Sequence, residues 1–149
     1  MIRVVFDTNV FVSALLTPHR PPGRLLELAL QGKMRLLISP QLLEEIERVL
    51  DYPKVKKVLQ LRKISHREID EAVAKILRVA VLTPGKMTVS VIADDPADDK
   101  ILAGAVEGQA NFIITGDHHL LDLNIYQGIR IMSPTEFLKV LESQESLHP

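Results

Sequence analysis

The chain contains no cysteine and no tryptophan. Without thiols it can form no disulfide, no cysteine-ligated zinc or iron–sulfur site and no thiol nucleophile, and nothing in it asks for an oxidising compartment. Aromatic side chains are scarce, four Phe and two Tyr in 149 residues, which argues against base stacking as the main source of any nucleic-acid affinity. An excess of charge of one sign is missing too. Eighteen Lys and Arg face 19 Asp and Glu, a net of −1, so no global basic field marks a nucleic-acid partner. No uninterrupted apolar run approaches the roughly 18 residues of a membrane span, and the run before Asp7 is too short for the core of a signal peptide. The chain is expected to be soluble and cytoplasmic, with no membrane partner.

What is present is ordinary globular composition, 46% hydrophobic and 25% charged. A chain of this length buries about two-thirds of its unfolded surface and needs neither disulfide nor structural metal to fold. One domain over residues 1–142 is expected, followed by a polar tail over 143–149. Ile2–Phe6, Arg35–Ile38, Val79–Leu82, Phe112–Thr115 and Ile129–Met132 are short apolar runs rich in β-branched residues, the pattern of buried strands. Between them the period changes to helical. Leu42, Leu43, Ile46, Val49 and Leu50 form one stripe ahead of Pro53, and Leu25 to Leu30 lie between Pro21-Pro22-Gly23 and Gly32. Ser65 opens a capping box ahead of Ile69, Val73, Ile76 and Leu77, and Ile101, Leu102, Ala105 and Val106 precede Gly108. Strands alternating with amphipathic helices predict a three-layer α/β/α sandwich on a parallel sheet of four to five strands.

In such a sheet ligands bind beyond the carboxyl ends of the strands, so acids just after strands carry the most weight. Asp7 follows the first strand, with Asp7-Thr8-Asn9 read as the loop it enters, and Asp117 follows Phe112–Thr115 after Gly116. Asp94, Asp95, Asp98 and Asp99 gather at the start of the Ile101 helix, and Glu45 sits on the helix after Arg35–Ile38. Part of this has a plain structural account: Asp95 as N-cap, Pro96 at the first helical position and Asp98 near the positive end of the helix dipole. A cap needs one or two carboxylates, though, and crowding four anions raises their pKa values. Asp98 lies three, four and seven residues before Ile101, Leu102 and Ala105 and so shares their inward stripe; Asp99 turns inward less fully. Glu45 sits beside the buried stripe of its helix, whereas Glu44 is rotated by about 100° towards solvent. Three or four carboxylates with no Cys, and with no His at an obvious ligand spacing, suit a hard divalent cation, Mg²⁺ or Mn²⁺. The chemistry such a site favours is phosphate-ester hydrolysis.

At these residues the chain resembles the PIN-domain ribonucleases, in particular the toxin-like branch of prokaryotic toxin–antitoxin pairs, over about residues 2–141. VVFDTNVFVSALL is similar to the family's first motif, with Asp7 as the first acid and Thr8 and Asn9 ordering the chain beside it. ISPQLLEEIERVL is similar to the second, where the inward position falls on Glu45 and adjacent Glu44 keeps the choice open by one residue. DPADDKILAGA resembles the third, with Asp98 as the match and Asp99 as an auxiliary acid. FIITGDHHLL resembles the fourth, with Asp117 as the last acid and Thr115 as a supporting hydroxyl. Where the family often has another acid two positions on, this chain has His119, so the resemblance gives no extra metal ligand at that position. The resemblance implies a metal centre of Asp7, Glu45, Asp98 and Asp117, Mg²⁺ or Mn²⁺ dependence, endonucleolytic cleavage of RNA, a homodimer and a cognate antitoxin.

Residues 54–67 carry Lys54, Lys56, Lys57, Arg62, Lys63 and Arg67 and no acid. The stretch reads either as a track for a phosphate backbone or as a solvated helical face. His118 and His119 read as exposed residues at a helix start, with assistance to proton transfer as the alternative. Two alternatives stand beside the nuclease. A haloacid-dehalogenase-like phosphohydrolase would need a second Asp two residues after the first, where this chain has Asn9. A PIN-like module that binds RNA or protein without cutting would have no need for mutually repelling acids.

Overall fold

The structure of the chain is a computed structural model describing residues 1–89 and 96–147, the last three as backbone only. Asp94 and Asp95, including the N-cap role expected of Asp95, lie outside the described residues. The elements run β1 (Arg3–Phe6), α1 (Thr8–Leu16), α2 (Pro21–Leu30), β2 (Arg35–Ile38), α3 (Pro40–Leu50), α4 (Pro53–Leu61), α5 (His66–Val79) and β3 (Val81–Leu82). They continue with α6 (Pro96–Glu107), β4 (Phe112–Ile114), α7 (His118–Leu123), β5 (Ile125–Tyr126), β6 (Ile129–Met132) and α8 (Pro134–Leu147).

The sheet order is β3-β2-β1-β4-β6-β5. The first five strands in that order pair in parallel, as the alternating pattern predicts, but β5 pairs antiparallel with β6. Among the described residues the sheet is therefore mixed and has six strands instead of four or five. Ile125–Tyr126 escapes a periodicity reading because two residues give no period. It forms because Gln127 and Gly128, at φ 47° and 79°, turn the chain tightly back onto β6. Val4, Val5 and Phe6 are all buried, as are Ile113 and Ile114. Successive strand residues face opposite sides, so consecutive burial means helices cover both faces of the central strands.

Other departures concern boundaries. Asp7-Thr8-Asn9 is not a loop, since α1 starts at Thr8 directly after β1. Pro53 ends the preceding helix as expected, and it also opens α4 from the first helical position. At the far end α8 continues through Ser143 to Leu147, so the polar stretch read as a tail begins inside a helix. The capping box at Ser65 forms as read, with Glu68 answering the cap.

The crossovers position the site. β1, β2 and β3 follow one another towards one edge, and the chain then returns through α6 to lay β4 on the other side of β1. The strand order thus reverses between β1 and β4, and a doubly wound sheet opens its ligand crevice at the carboxyl ends of such a pair. The return helix is tied at its far end. Glu107 accepts the backbone N–H groups of Gly85, Lys86 and Met87 at 2.7, 3.0 and 3.1 Å, and Gln41 Nε2 donates to the Gly85 carbonyl at 2.6 Å. Close approach of α6 to the sheet requires Gly108, where a Cβ would fall 2.8 Å from Leu37 Cδ1.

Candidate metal centre

The register of β1 and β4, with Phe6 opposite Ile114, brings the next residues Asp7 and Thr115 side by side at the reversal point. Asp7 N–H donates to the Ile114 carbonyl at 2.9 Å, extending the ladder by one bond. Asp7 occupies the N-cap position of α1, yet its carboxylate caps nothing there. It accepts instead the hydroxyl of buried Thr115, Oγ1 to Oδ2 at 2.8 Å, and the same Oγ1 accepts Asp117 N–H at 3.0 Å. One hydroxyl therefore couples the first acid to the last.

Asp117 caps α7, its Oδ1 accepting His119 N–H at 2.8 Å. Asp98 lies on the inward stripe of α6 with Ile101, Leu102 and Ala105 and is 4% exposed. Its Oδ2 sits 3.9 Å from His119 Nδ1, which in turn sits 3.8 Å from Asp117 Oδ1. Glu45 is half-buried on α3, near enough to Asp7 to act on its charge, while Glu44 is exposed and pairs with Arg48 at 3.3 Å. Of the two glutamates, Glu45 is therefore the one that acts on Asp7.

Burial pushes the Asp7 carboxyl above its ordinary value. Hydrogen bonds from the Thr115 hydroxyl and the Thr8 backbone oppose that rise, and the charges of Glu45 and Asp117 add to it. A carboxyl that holds its proton more tightly folded than unfolded stabilises the fold most at low pH. That contribution is lost as pH rises from the ordinary 3.8 through the raised folded value. Metal-free protein is therefore expected to lose stability across this window, and Asp7→Asn to flatten the loss, read as Tm against pH in chelator. Parallel curves for the two proteins would contradict it.

Not every residue named from the sequence joins the centre. Thr8 is buried with a hydroxyl that makes no hydrogen bond, and Asn9 is exposed on the first turn of α1. Asp99 lines a cavity of about 220 Å³ with Ser39, Gln41, Met87, Lys100 and Gly104. The six cations of residues 54–67 are all exposed on α4, the following turn and the first turn of α5. Lys56 pairs with Asp51 and Arg67 with Glu71. His119 is the residue that sequence reasoning undervalued. It is exposed at a helix start, as read, but its ring turns inward to the acids. The available signal was its place two residues beyond an Asp that itself caps the helix.

Asp98, Asp117 and His119 each offer a donor atom within 4.8 Å of the other two. Anionic oxygens with one imidazole, at the reversal point of a doubly wound sheet, define a site suited to a divalent cation. A PIN domain family model matches residues 3–119, and the chain belongs to the PIN domain family. That span contains Asp7, Glu45, Asp98, Asp117 and His119. An uncharacterized protein of Methanocaldococcus jannaschii is 34% identical over 149 residues, covering 95% of this chain and 92% of that protein. Membership points to nuclease activity in general, with divalent metal as the family's usual cofactor. It also displaces the dehalogenase-like alternative, whose second Asp is absent.

Proposed function

We propose that the chain is a metal-dependent endoribonuclease that hydrolyses RNA phosphodiester bonds at a centre of Asp7, Glu45, Asp98 and Asp117. The observation that carries this reading is the coupling of acids from separate segments through Thr115 at the β1/β4 reversal point. A bound Mg²⁺ or Mn²⁺ would supply positive charge against the scissile phosphate and lower the pKa of an attacking water. Asp7, Asp98 and Asp117 would hold that ion. Thr115 fixes the Asp7 carboxylate, and the cap bond from His119 N–H fixes Asp117, so two of these acids are oriented before substrate arrives. Glu45, half-buried and near enough to Asp7 to act on its charge, would take the proton of the water.

Substrate is held by exposed Lys54, Lys56, Lys57, Arg62, Lys63 and Arg67, with Lys54, Lys57, Arg62 and Lys63 free, among the described residues, of the ion pairs that occupy Lys56 and Arg67. Changing Lys57, Arg62 and Lys63 together to Gln is expected to weaken single-stranded RNA binding. It should also flatten the slope of log K against log salt by about 2, at about 0.7 per lost phosphate contact. An unchanged slope would mean that the stretch is only a solvated face.

The same reading extends to a cytoplasmic, homodimeric toxin whose active site a cognate antitoxin covers, and a small reading frame overlapping upstream would support it. The test of the activity is an end-labelled RNA incubated with the full chain and Mn²⁺. Internal cuts are expected. RNA that is bound but left intact would favour the non-cleaving module.

A further inference from the structure

His119 Nδ1 lies 3.9 Å from Asp98 Oδ2 and 3.8 Å from Asp117 Oδ1. These distances are too long for hydrogen bonds. They do match the spread of donors around one ion: ligands at about 2.1 Å from a divalent cation lie about 3 to 4 Å from one another. The ring is set in place from two directions. Its own backbone N–H is bonded to Asp117 at 2.8 Å, and His118 meets it edge-on, with centroids 5.6 Å apart at 86°. Asp98, the partner across the gap, is buried on α6.

We propose that His119 is a nitrogen ligand of this centre, entering through Nδ1 beside Asp98 and Asp117, and that it turns the site from Mg²⁺ towards Mn²⁺. The inference rests on the metal-dependent reading above and adds the preference for one ion. Mg²⁺ keeps to oxygen donors in near-ideal octahedral geometry, whereas Mn²⁺ shares its liking for carboxylates but, as a first-row transition ion, also accepts an imidazole nitrogen, more weakly than Zn²⁺ or Ni²⁺ does. A chain with an acid two residues after Asp117 would offer oxygen alone. This chain offers a mixed set, and the change is made by one residue.

The competing account makes His119 a countercharge, an imidazolium shared by two carboxylates. The two accounts predict opposite signs. Removing a ligand lowers metal affinity, whereas removing a cation that competes for the same acids raises it. Isothermal titration of the full chain with Mn²⁺ and with Mg²⁺ separates them, using wild type, His119→Gln, His119→Asp and Asp98→Asn. Changes to outer-shell partners alone cost 10–100-fold in metal affinity. His119→Gln is therefore expected to lower Mn²⁺ affinity by at least about tenfold while moving Mg²⁺ far less, and His119→Asp to bring the two affinities together. Electron spin-echo spectra of Mn²⁺-loaded protein should show a directly bonded imidazole nitrogen in wild type and in His118→Gln, and none in His119→Gln. Equal or tighter Mn²⁺ binding by His119→Gln, or no nitrogen coupling in wild type, would overturn the proposal while leaving a carboxylate centre in place. Undiminished Mn²⁺ binding by Asp98→Asn would instead remove the metal-centre reading on which it stands.

Discussion

Asp98→Asn is expected to melt at a higher temperature than wild type in chelator and to gain little when Mn²⁺ is added. Asp98 is 4% exposed and its carboxylate faces Asp117 across His119. Burying a carboxylate costs several kcal/mol even after relaxation, and a second carboxylate, that of Asp117, stands on the same imidazole. The neutral isostere relieves both. Metal reverses the order. An ion at about a hundred times its Kd, bound only by the folded form, adds about 2.7 kcal/mol, a rise of about 5–10 °C in Tm for a chain of this size. The wild type should show that rise and Asp98→Asn only a small part of it. Equal shifts in the two proteins would place the ion elsewhere.

The larger effect is on cleavage. Losing one preorganised group that faces transition-state charge costs about 10²–10³ in rate, and losing a ligand weakens the hold on the ion as well. Asp7→Asn and Asp98→Asn are each expected to lower RNA cleavage at least about 10³-fold, with circular dichroism unchanged. Because the acids act as one unit, the double variant should be scarcely worse than either single one. Independent, multiplying losses would mean that Asp7 and Asp98 do not share a centre. Asp99→Asn serves as the internal comparison, since Asp99 lines the neighbouring cavity and is expected to leave metal-induced stabilisation intact.

Much of this site is legible in the sequence because helical and strand periods convert position into direction. The seven-residue interval from Asp98 to Ala105 puts the acid on the buried stripe, and the fold leaves it there. The rotation between Glu44 and Glu45 likewise sends one to solvent and Arg48 and the other towards Asp7. Thr115 is readable as a supporting hydroxyl, but its double bond to Asp7 and Asp117 depends on strand register, which no local pattern encodes. β5 was illegible because its two residues are held by a tight turn, not by a hydrophobic period. His119 was misjudged for a related reason. An exposed residue near a helix start is ordinarily solvated, and only the tertiary approach of α6 gives its ring two carboxylates to face.

The most direct measurement follows internal cleavage of an end-labelled RNA by the full wild-type chain, first with Mn²⁺, then with excess chelator, then with Mn²⁺ restored. A metal-dependent nuclease centred on these acids cuts, stops and resumes, and Asp98→Asn stays silent throughout. Cutting that persists in chelator, or by Asp98→Asn at the wild-type rate, would contradict the account.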